Sequence, residues 1–195
     1  MRLFLSILIL IFSFQSFTKA DNIRDFEIDG ISIGDSLLDH YEITEIKKSE
    51  NNPTYYPKSK KFKIIFFVSK KNELFDYINI TLKDNDKRYI IYSIRGEKEI
   101  SIEKCFEMKN NQIEGIESIL SKIDKNSYKS YYGKHYGNSE AHVTEYNLND
   151  GAQIRIFCAN YDEKNKLVQD NVWKDSLEIG LSSREFIKFL THEAY

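Results

Sequence analysis

The chain has 195 residues, with 28 lysines and arginines against 30 aspartates and glutamates, and a formal net charge of −2 at pH 7. This length is sufficient for one domain, or for two closely packed halves, around a hydrophobic core. Basic and acidic residues are interleaved along the chain instead of forming a basic stripe, which argues against a nucleic-acid-binding protein. We therefore expect no nucleic-acid partner.

Residues 1–20 have the pattern of a secretory signal peptide. Arg2 provides a positive start, Leu3 to Phe14 is nearly all apolar, and Thr18-Lys19-Ala20 puts small residues three and one positions before Asp21. The apolar run is shorter than the ~20 residues that a membrane-spanning helix needs, so cleavage is favoured over a retained anchor. No later segment is apolar enough to span a membrane. The expected product begins at Asp21 and is exported, either to the periplasm or to the extracellular space.

The segment Ile31–Glu42, ISIGDSLLDHYE, contains a Gly-Asp-Ser-Leu sequence. It resembles the first block of GDSL-type esterases and lipases, which implies a catalytic Ser36 and a parallel sheet wrapped by helices. A serine nucleophile needs an adjacent, oriented base and donors for the oxyanion. In that family the base is a histidine three residues after an aspartate, whereas the residues at that spacing before the four histidines are Leu37, Tyr132, Ser139 and Phe189. The sequence also lacks the family's Gly-x-Asn-Asp block, which supplies an oxyanion donor.

A helix start explains the same letters. Gly34 permits a sharp turn after a strand, and Asp35 or Ser36 can accept hydrogen bonds from the free amides of a first helical turn. We therefore predict that Ser36 caps a short helix and that the chain has no catalytic residue. The alternative is a small serine esterase that uses Ser36 with a base that the sequence does not identify.

Much of the remaining chain alternates apolar and polar residues in short segments, which is typical of antiparallel strands with one solvent-facing side. Asp84-Asn85-Asp86 and Asn149-Asp150-Gly151 fit the tight turns of hairpins. The predicted strands are Phe26–Ile31, Phe62–Val68, Phe75–Lys83, Arg88–Ile94, His142–Leu148, Gln153–Ala159 and Trp173–Leu181.

Two helices are predicted among these strands. In Ser101–Asp124, apolar residues recur at helical spacing and form one stripe. Near the end of the chain, Ser182-Ser183-Arg184-Glu185 is a capping box that precedes an apolar helical face. The predicted fold class is therefore α+β, mainly antiparallel sheet, with one long helix and a C-terminal helix. The sheet is continuous or forms two three-stranded meanders. Residues 21–195 make one domain or two packed halves, 21–98 and 99–195.

The chain has two cysteines, Cys105 and Cys158. Cys105 lies on the apolar stripe of the long predicted helix, and Cys158 lies on the apolar face of a predicted strand, so both face the core. An exported chain folds in an oxidising compartment, where such a pair is expected to form a disulfide. We predict a Cys105–Cys158 disulfide, with two buried free thiols as the alternative.

The segment Ser127–Ser139, SYKSYYGKHYGNS, is rich in tyrosine. Loops of this kind provide amphipathic surface for contacts with proteins or sugars, although an ordinary loop over the sheet edge is the simpler interpretation. His135, Glu140 and His142 lack the spacing of a known metal motif, so we predict no metal site and no cofactor. The candidate binding residues are Tyr128, Tyr131, Tyr132, His135 and Tyr136.

Two longer phrases carry a family resemblance. FEIDGISIGDSLLDHYEITEIKK and DSLEIGLSSREFIKFL resemble the opening and closing segments of a family of uncharacterised exported bacterial proteins, which implies no specific activity. The helix-then-strands arrangement is also loosely similar to the tandem repeats of the β-lactamase inhibitor protein and of small outer-membrane assembly lipoproteins, which are binding modules. We predict a non-catalytic binding or protein-interaction module of the cell envelope. Its expected partner is another envelope protein or a saccharide.

Overall fold

The structure is a computed structural model that describes residues 22–70, 74–120, 122, 124–170 and 173–195. The predicted signal peptide, residues 1–20, lies outside the described residues, and so does Asp21, the predicted start of the mature chain. No helix within these ranges is long and apolar enough to cross a membrane.

A large antiparallel sheet dominates the fold. The strands of the described residues are β1 (Glu27–Ile28), β2 (Ile31–Ser32), β3 (Thr54–Tyr56), β4 (Ser59–Val68), β5 (Tyr77–Lys83), β6 (Ile91–Glu99), β7 (Lys125–Tyr131), β8 (Glu140–Asn147), β9 (Gln153–Asn160) and β10 (Ser176–Ser182). β1 and β2 pair with each other, and the other eight form one sheet in the order β3-β4-β5-β6-β10-β9-β8-β7. Each half of this sheet is a four-stranded meander, and the halves join where β6 pairs with β10.

Helices form a minor part of the fold. They are α1 (Ile43–Glu50), α2 (Ile102–Ile119), α3 (Lys166–Gln169) and α4 (Arg184–His192), with 3-10 turns at Ile23–Asp25, Leu37–Asp39 and Lys134–Tyr136. The predicted α+β class with one long helix and a C-terminal helix is therefore wrong. The described residues are mostly β, with a large eight-stranded sheet, a two-stranded sheet and 29% of residues in helices.

The alternative of two three-stranded meanders is wrong as well, because each half of the sheet has a fourth strand that the apolar pattern did not reveal. The missed strand of the second half is β7, an edge strand whose seven residues are all exposed, so it has no apolar face. The predicted strand Phe26–Ile31 is also corrected. Asp29 and Gly30 have φ angles of 58° and 81°, and this turn divides the segment into β1 and β2.

One face of the eight-stranded sheet forms the hydrophobic core. Alternate strand residues such as Ile80, Ile94 and Ile156 are buried there, and α2 and the N-terminal segment cover them. We call this side the core face and the opposite side the open face. The predicted Cys105–Cys158 disulfide is confirmed on the core face, where it joins α2 to β9 with a Cα–Cα distance of 5.9 Å.

Helix α4 packs on the open face, at one end of the sheet. Ser183 caps it by accepting a hydrogen bond from the amide of Phe186 at 3.2 Å. The rings of Phe186 and Phe189 pack against Phe62 of β4, with ring centroids 5.4 and 4.8 Å from it. The helix therefore covers only part of the open face and forms a wall beside the uncovered part.

Candidate functional site

Ser36 caps a short helical turn. Its Oγ accepts a hydrogen bond from the amide of Leu38 at 3.3 Å and donates one to the carbonyl of Arg88 at 2.8 Å. Gly34 has a φ angle of 91°, which glycine adopts without strain, and the chain turns there into the 3-10 turn Leu37–Asp39. The predicted role of Ser36 as a helix cap is confirmed.

The nearest histidine in the chain, His40, is held by the residue that precedes Ser36. Its Nε2 lies 2.9 Å from Oδ2 of Asp35, and the same carboxylate oxygen accepts a hydrogen bond from the amide of Ser32 at 3.0 Å. In an esterase the imidazole would receive the proton of the serine hydroxyl. Here the Ser36 hydroxyl donates to the backbone carbonyl of Arg88, so the hydroxyl ties the turn to a distant segment of the chain.

The tyrosine-rich segment does not form a single loop. Tyr128 and Tyr131 lie on the edge strand β7, Tyr132 follows that strand, and Tyr136 ends the 3-10 turn that also contains His135. Tyr131 is 70% exposed, and the carbonyl of the exposed His135 accepts a hydrogen bond from the side chain of a neighbouring asparagine. The five predicted binding residues are therefore not brought together into one surface.

Tyr132 and Tyr136 belong to a stack of four aromatic rings. Tyr132 stacks on Tyr161 with centroids 5.4 Å apart, Tyr161 stacks on Trp173 at 5.6 Å, and Trp173 stacks on Tyr136 at 4.8 Å. Because these rings face each other, they bury part of one another's surface, while Tyr161 and Trp173 also line a second pocket. Burial raises the pKa of Tyr161 to about 12, so its hydroxyl stays neutral at physiological pH.

The histidines near this segment are not grouped as metal ligands. Nε2 of His142 lies 2.7 Å from Oε1 of Glu140, which also pairs with Lys129 at 3.0 Å. His135 lies on a different element, the 3-10 turn after β7. In the part of the chain that the structure describes, no group of three or more His, Cys, Asp or Glu side chains could hold a metal ion.

A groove of about 210 Å³ crosses the open face beside α4. We call it the sheet groove. Its floor comes from the strands and is mostly polar, with Ile64, Asn79, Thr81, Ser93, Arg95, Gly180 and Ser182. One wall is apolar and consists of Tyr56, Phe186, Ile187, Leu190 and Tyr195, and the opposite wall consists of Gln153, Arg155 and Phe157.

The pairing register places two arginines on either side of a glycine. Arg95 of β6 lies opposite Gly180 of β10, which lies opposite Arg155 of β9. Neighbouring strands are about 4.8 Å apart, so the two arginine Cα atoms are roughly 10 Å apart. A Cβ added to Gly180 would lie 3.9 Å from its nearest neighbour, a carbon of Arg95. Gly180 thus leaves space between the two guanidinium groups that a side chain would fill.

The positive charges of the groove are more accessible than the negative charges that pair with them. Nη1 of Arg95 lies 3.0 Å from Glu178, and Nε of Arg155 lies 3.9 Å from Glu145. The arginine side chains are 41% and 39% exposed, whereas those of Glu178 and Glu145 are 6% and 16% exposed. Burial also raises the pKa of Glu178, which favours its neutral form. An incoming group therefore meets guanidinium donors first.

Asn79 is an unusual polar residue on the groove floor. It lies directly opposite Arg95, is only 4% exposed, and neither its amide oxygen nor its amide nitrogen has a hydrogen-bond partner among the described residues. A buried polar group without a partner costs stability, and such groups are rare in folded proteins. The hydroxyl of Ser93, by contrast, donates to the carbonyl of Leu181 at 2.9 Å. Asn79 is thus a polar group whose presence the fold itself does not explain.

The sequence pattern did not predict the groove, but one of the predicted binding residues contacts it. Of the predicted binding residues, Tyr128 reaches the groove's charged residues, because its hydroxyl donates to Glu145 at 3.0 Å and accepts from Arg155 at 3.3 Å. The burial of Asn79 was not visible, because it occupies a polar position in a strand that alternates apolar and polar residues. The register that brings Arg95 beside Gly180 was not visible, because β10 lies far from β6 in the sequence.

Comparisons with known proteins add no family to this description. The chain matches no family model, no curated protein and no solved structure.

Proposed function

We propose that this protein is a non-catalytic binding module of the cell envelope and that its partner occupies the sheet groove. The observation that carries the proposal is Asn79, a buried amide without partners on the floor of a groove that also presents two exposed arginines. Functional sites are where proteins retain groups that cost stability. A groove that only served the fold would be expected to have apolar or hydrogen-bonded residues at this position.

The surroundings of the groove support a macromolecular partner. Three exposed apolar or aromatic residues lie on one face of β4 and β5: Phe66, Val68 and Tyr77. Phe66 is a direct neighbour of Asn79, because the two residues are opposite each other in the pairing of these strands. Contiguous exposed apolar surface of this kind marks interaction sites. Of the two predicted partner classes, an envelope protein fits this surface better than a saccharide.

Two further features support the predicted location and type of module. The Cys105–Cys158 disulfide is typical of proteins that fold in an oxidising compartment outside the cytoplasm. A helix followed by a four-stranded meander occurs twice along the chain. This order supports the resemblance to tandem-repeat binding modules.

The proposal is tested by capture from an envelope extract, with the wild-type protein and a variant whose groove is blocked as baits. Gly180→Leu would put a side chain between the two arginines, and the backbone there has room for a Cβ. The matched control is Gly115→Leu, because Gly115 lies on the exposed side of α2 with no atom within 4 Å of an added Cβ. Both baits are first shown to be folded and oxidised.

We expect quantitative mass spectrometry to find an envelope protein that is captured by the wild type and by Gly115→Leu and is reduced about tenfold on Gly180→Leu, as expected when a central contact is blocked. If the three baits capture the same proteins in the same amounts, the groove is not the binding site and the proposal fails.

A further inference from the structure

We infer that the sheet groove binds a segment of polypeptide in which an acidic side chain lies beside an apolar one, with the carboxylate between Arg95 and Arg155. This inference rests on the proposed function and adds the chemistry of the partner. Three features of the groove carry it: the charge that the groove presents, the exposed apolar surface that continues from it, and the hydrogen-bonding capacity of Asn79.

The two arginines are the charged groups that a ligand would meet first in the groove. Arg95 and Arg155 expose about two fifths of their side chains, while their carboxylate partners are nearly buried. Guanidinium groups bind carboxylates with paired N–H donors and in a planar geometry. Gly180 lies between the arginines and lets a carboxylate approach the sheet, because no side chain stands there.

The apolar part concerns the size of the ligand. A groove of about 210 Å³ holds a group of side-chain size, and its wall of Phe186, Ile187 and Leu190 suits an apolar one. Beyond the groove, the exposed apolar surface continues on the open face to Val68 of β4 and Tyr77 of β5. A ligand that contacts both areas has to be a polymer with acidic and apolar groups, which a polypeptide provides.

Asn79 provides hydrogen-bonding groups on the groove floor that fit the backbone of a polypeptide. The side chain of Asn79 offers one amide oxygen and one amide nitrogen, and both are without partners in the described residues. A peptide group presents one C=O and one N–H, which is the complementary pair.

Fluorescence anisotropy tests the inference with a labelled short peptide in which one glutamate stands between two leucines in a glycine–serine background. The matched peptide has glutamine in place of glutamate. Arg155→Gln is the informative variant, because Arg95→Gln would leave the buried Glu178 without its partner and could unfold the protein. Arg88→Gln is the control, since Arg88 is an exposed arginine away from the groove.

We expect the glutamate peptide to bind the wild type about tenfold more tightly than the glutamine peptide, as the loss of a charge-assisted hydrogen bond predicts. Arg155→Gln should abolish this difference, Arg88→Gln should keep it, and added salt should reduce it. Competition with octanoate and with an oligogalacturonate separates the sources of a carboxylate. If either one displaces the peptide at equal concentration, the ligand is a small acid or an acidic saccharide, and the inference is overturned.

Two other results would also overturn the inference. One is that both peptides bind equally well or do not bind, and the other is that binding is unaffected by Arg155→Gln and by Gly180→Leu. In these cases the proposed function would still hold if capture of an envelope protein depends on Gly180. The failure of the inference is therefore distinguishable from the failure of the proposed function.

Discussion

Replacing Asn79 by leucine should make the protein more stable while it impairs the groove. Asn79 is 4% exposed and both polar atoms of its amide lack hydrogen-bond partners in the described residues, so the folded state carries their desolvation cost without compensation. Leucine has the same branching at Cγ and no polar atom, and the groove beside Asn79 has space for its additional volume. The fold therefore gains from the change, and the cost falls on the recognition of a partner.

The magnitude follows from the two unpartnered atoms. Leaving a buried polar group unpaired costs about 1–3 kcal/mol, and partial relaxation of the neighbours places the net gain for Asn79→Leu near the middle of that range, at about 2 kcal/mol. For a chain of this length that corresponds to a rise in Tm of about 4–8 °C. Ser93→Ala is the matched control on the same floor. Because the Ser93 hydroxyl donates to the carbonyl of Leu181, its loss should lower stability by about 1 kcal/mol.

Urea unfolding measures both changes. The chain has one tryptophan, Trp173, which lies in the aromatic stack with Tyr136 and Tyr161, so its fluorescence reports the loss of the native packing. We expect opposite signs for Asn79→Leu and Ser93→Ala, with the disulfide intact. If Asn79→Leu instead lowers the unfolding free energy by about 1 kcal/mol or more, the amide of Asn79 is engaged by the fold. The site would then lose the group on which the proposal depends.

Three further predictions concern the disulfide, Ser36 and Lys109. Cys158→Ser should lower the unfolding free energy by about 4 kcal/mol, because the bridge closes a loop between residues 53 apart; two free thiols in the native wild type by mass analysis would contradict this. Ser36→Ala should lower the unfolding free energy by about 1 kcal/mol, the usual value of a helix cap, and neither the wild type nor the variant should hydrolyse an aryl ester. Hydrolysis by the wild type that the substitution abolishes would establish Ser36 as a nucleophile. Burial lowers the pKa of Lys109 to about 8, against 10.5 in the unfolded chain, so between these pH values the unfolded chain holds the proton and the folded protein does not. The unfolding free energy of the wild type should therefore rise relative to that of Lys109→Met from pH 8 to 10.5. If the two proteins show the same dependence of stability on pH, Lys109 is not buried as a cation.

Features that depend on neighbours in the sequence were predictable. The cap at Ser36 needs only the residues of the following turn, and Ser36 accepts the predicted amide hydrogen bond. At the last helix the capping box predicted from Ser182 to Glu185 is wrong by one residue, because Ser182 still belongs to β10 and Ser183 is the cap. The disulfide was predictable because Cys105 and Cys158 each lie on an apolar face, and the apolar sides of a helix and of a strand both pack into the core. Local pattern and burial were sufficient in these cases.

Features that depend on strand pairing were not predictable from local pattern. Alternation shows that Arg155 lies on the side of its strand away from the core, but the predicted strand Arg88–Ile94 ends before Arg95, and alternation does not show which strand lies between the two arginines. That strand, β10, comes last in the chain and pairs with both β6 and β9. The edge strand β7 was mistaken for part of a loop, because a strand at the edge of a sheet with neither face buried has no apolar alternation. The error in fold class has the same origin, since the extent of the sheet was underestimated.

Site-specific photo-cross-linking in the intact envelope tests most directly whether a partner occupies the sheet groove. A benzoylphenylalanine at position 153, where Gln153 lines the groove, is compared with one at position 114, where Glu114 is exposed on α2 over the opposite face. We expect irradiation to join an envelope protein to position 153 and not to position 114, and we expect Gly180→Leu to abolish the product. Cross-links from position 114 alone, or cross-links from position 153 that persist with Gly180→Leu, would contradict this expectation.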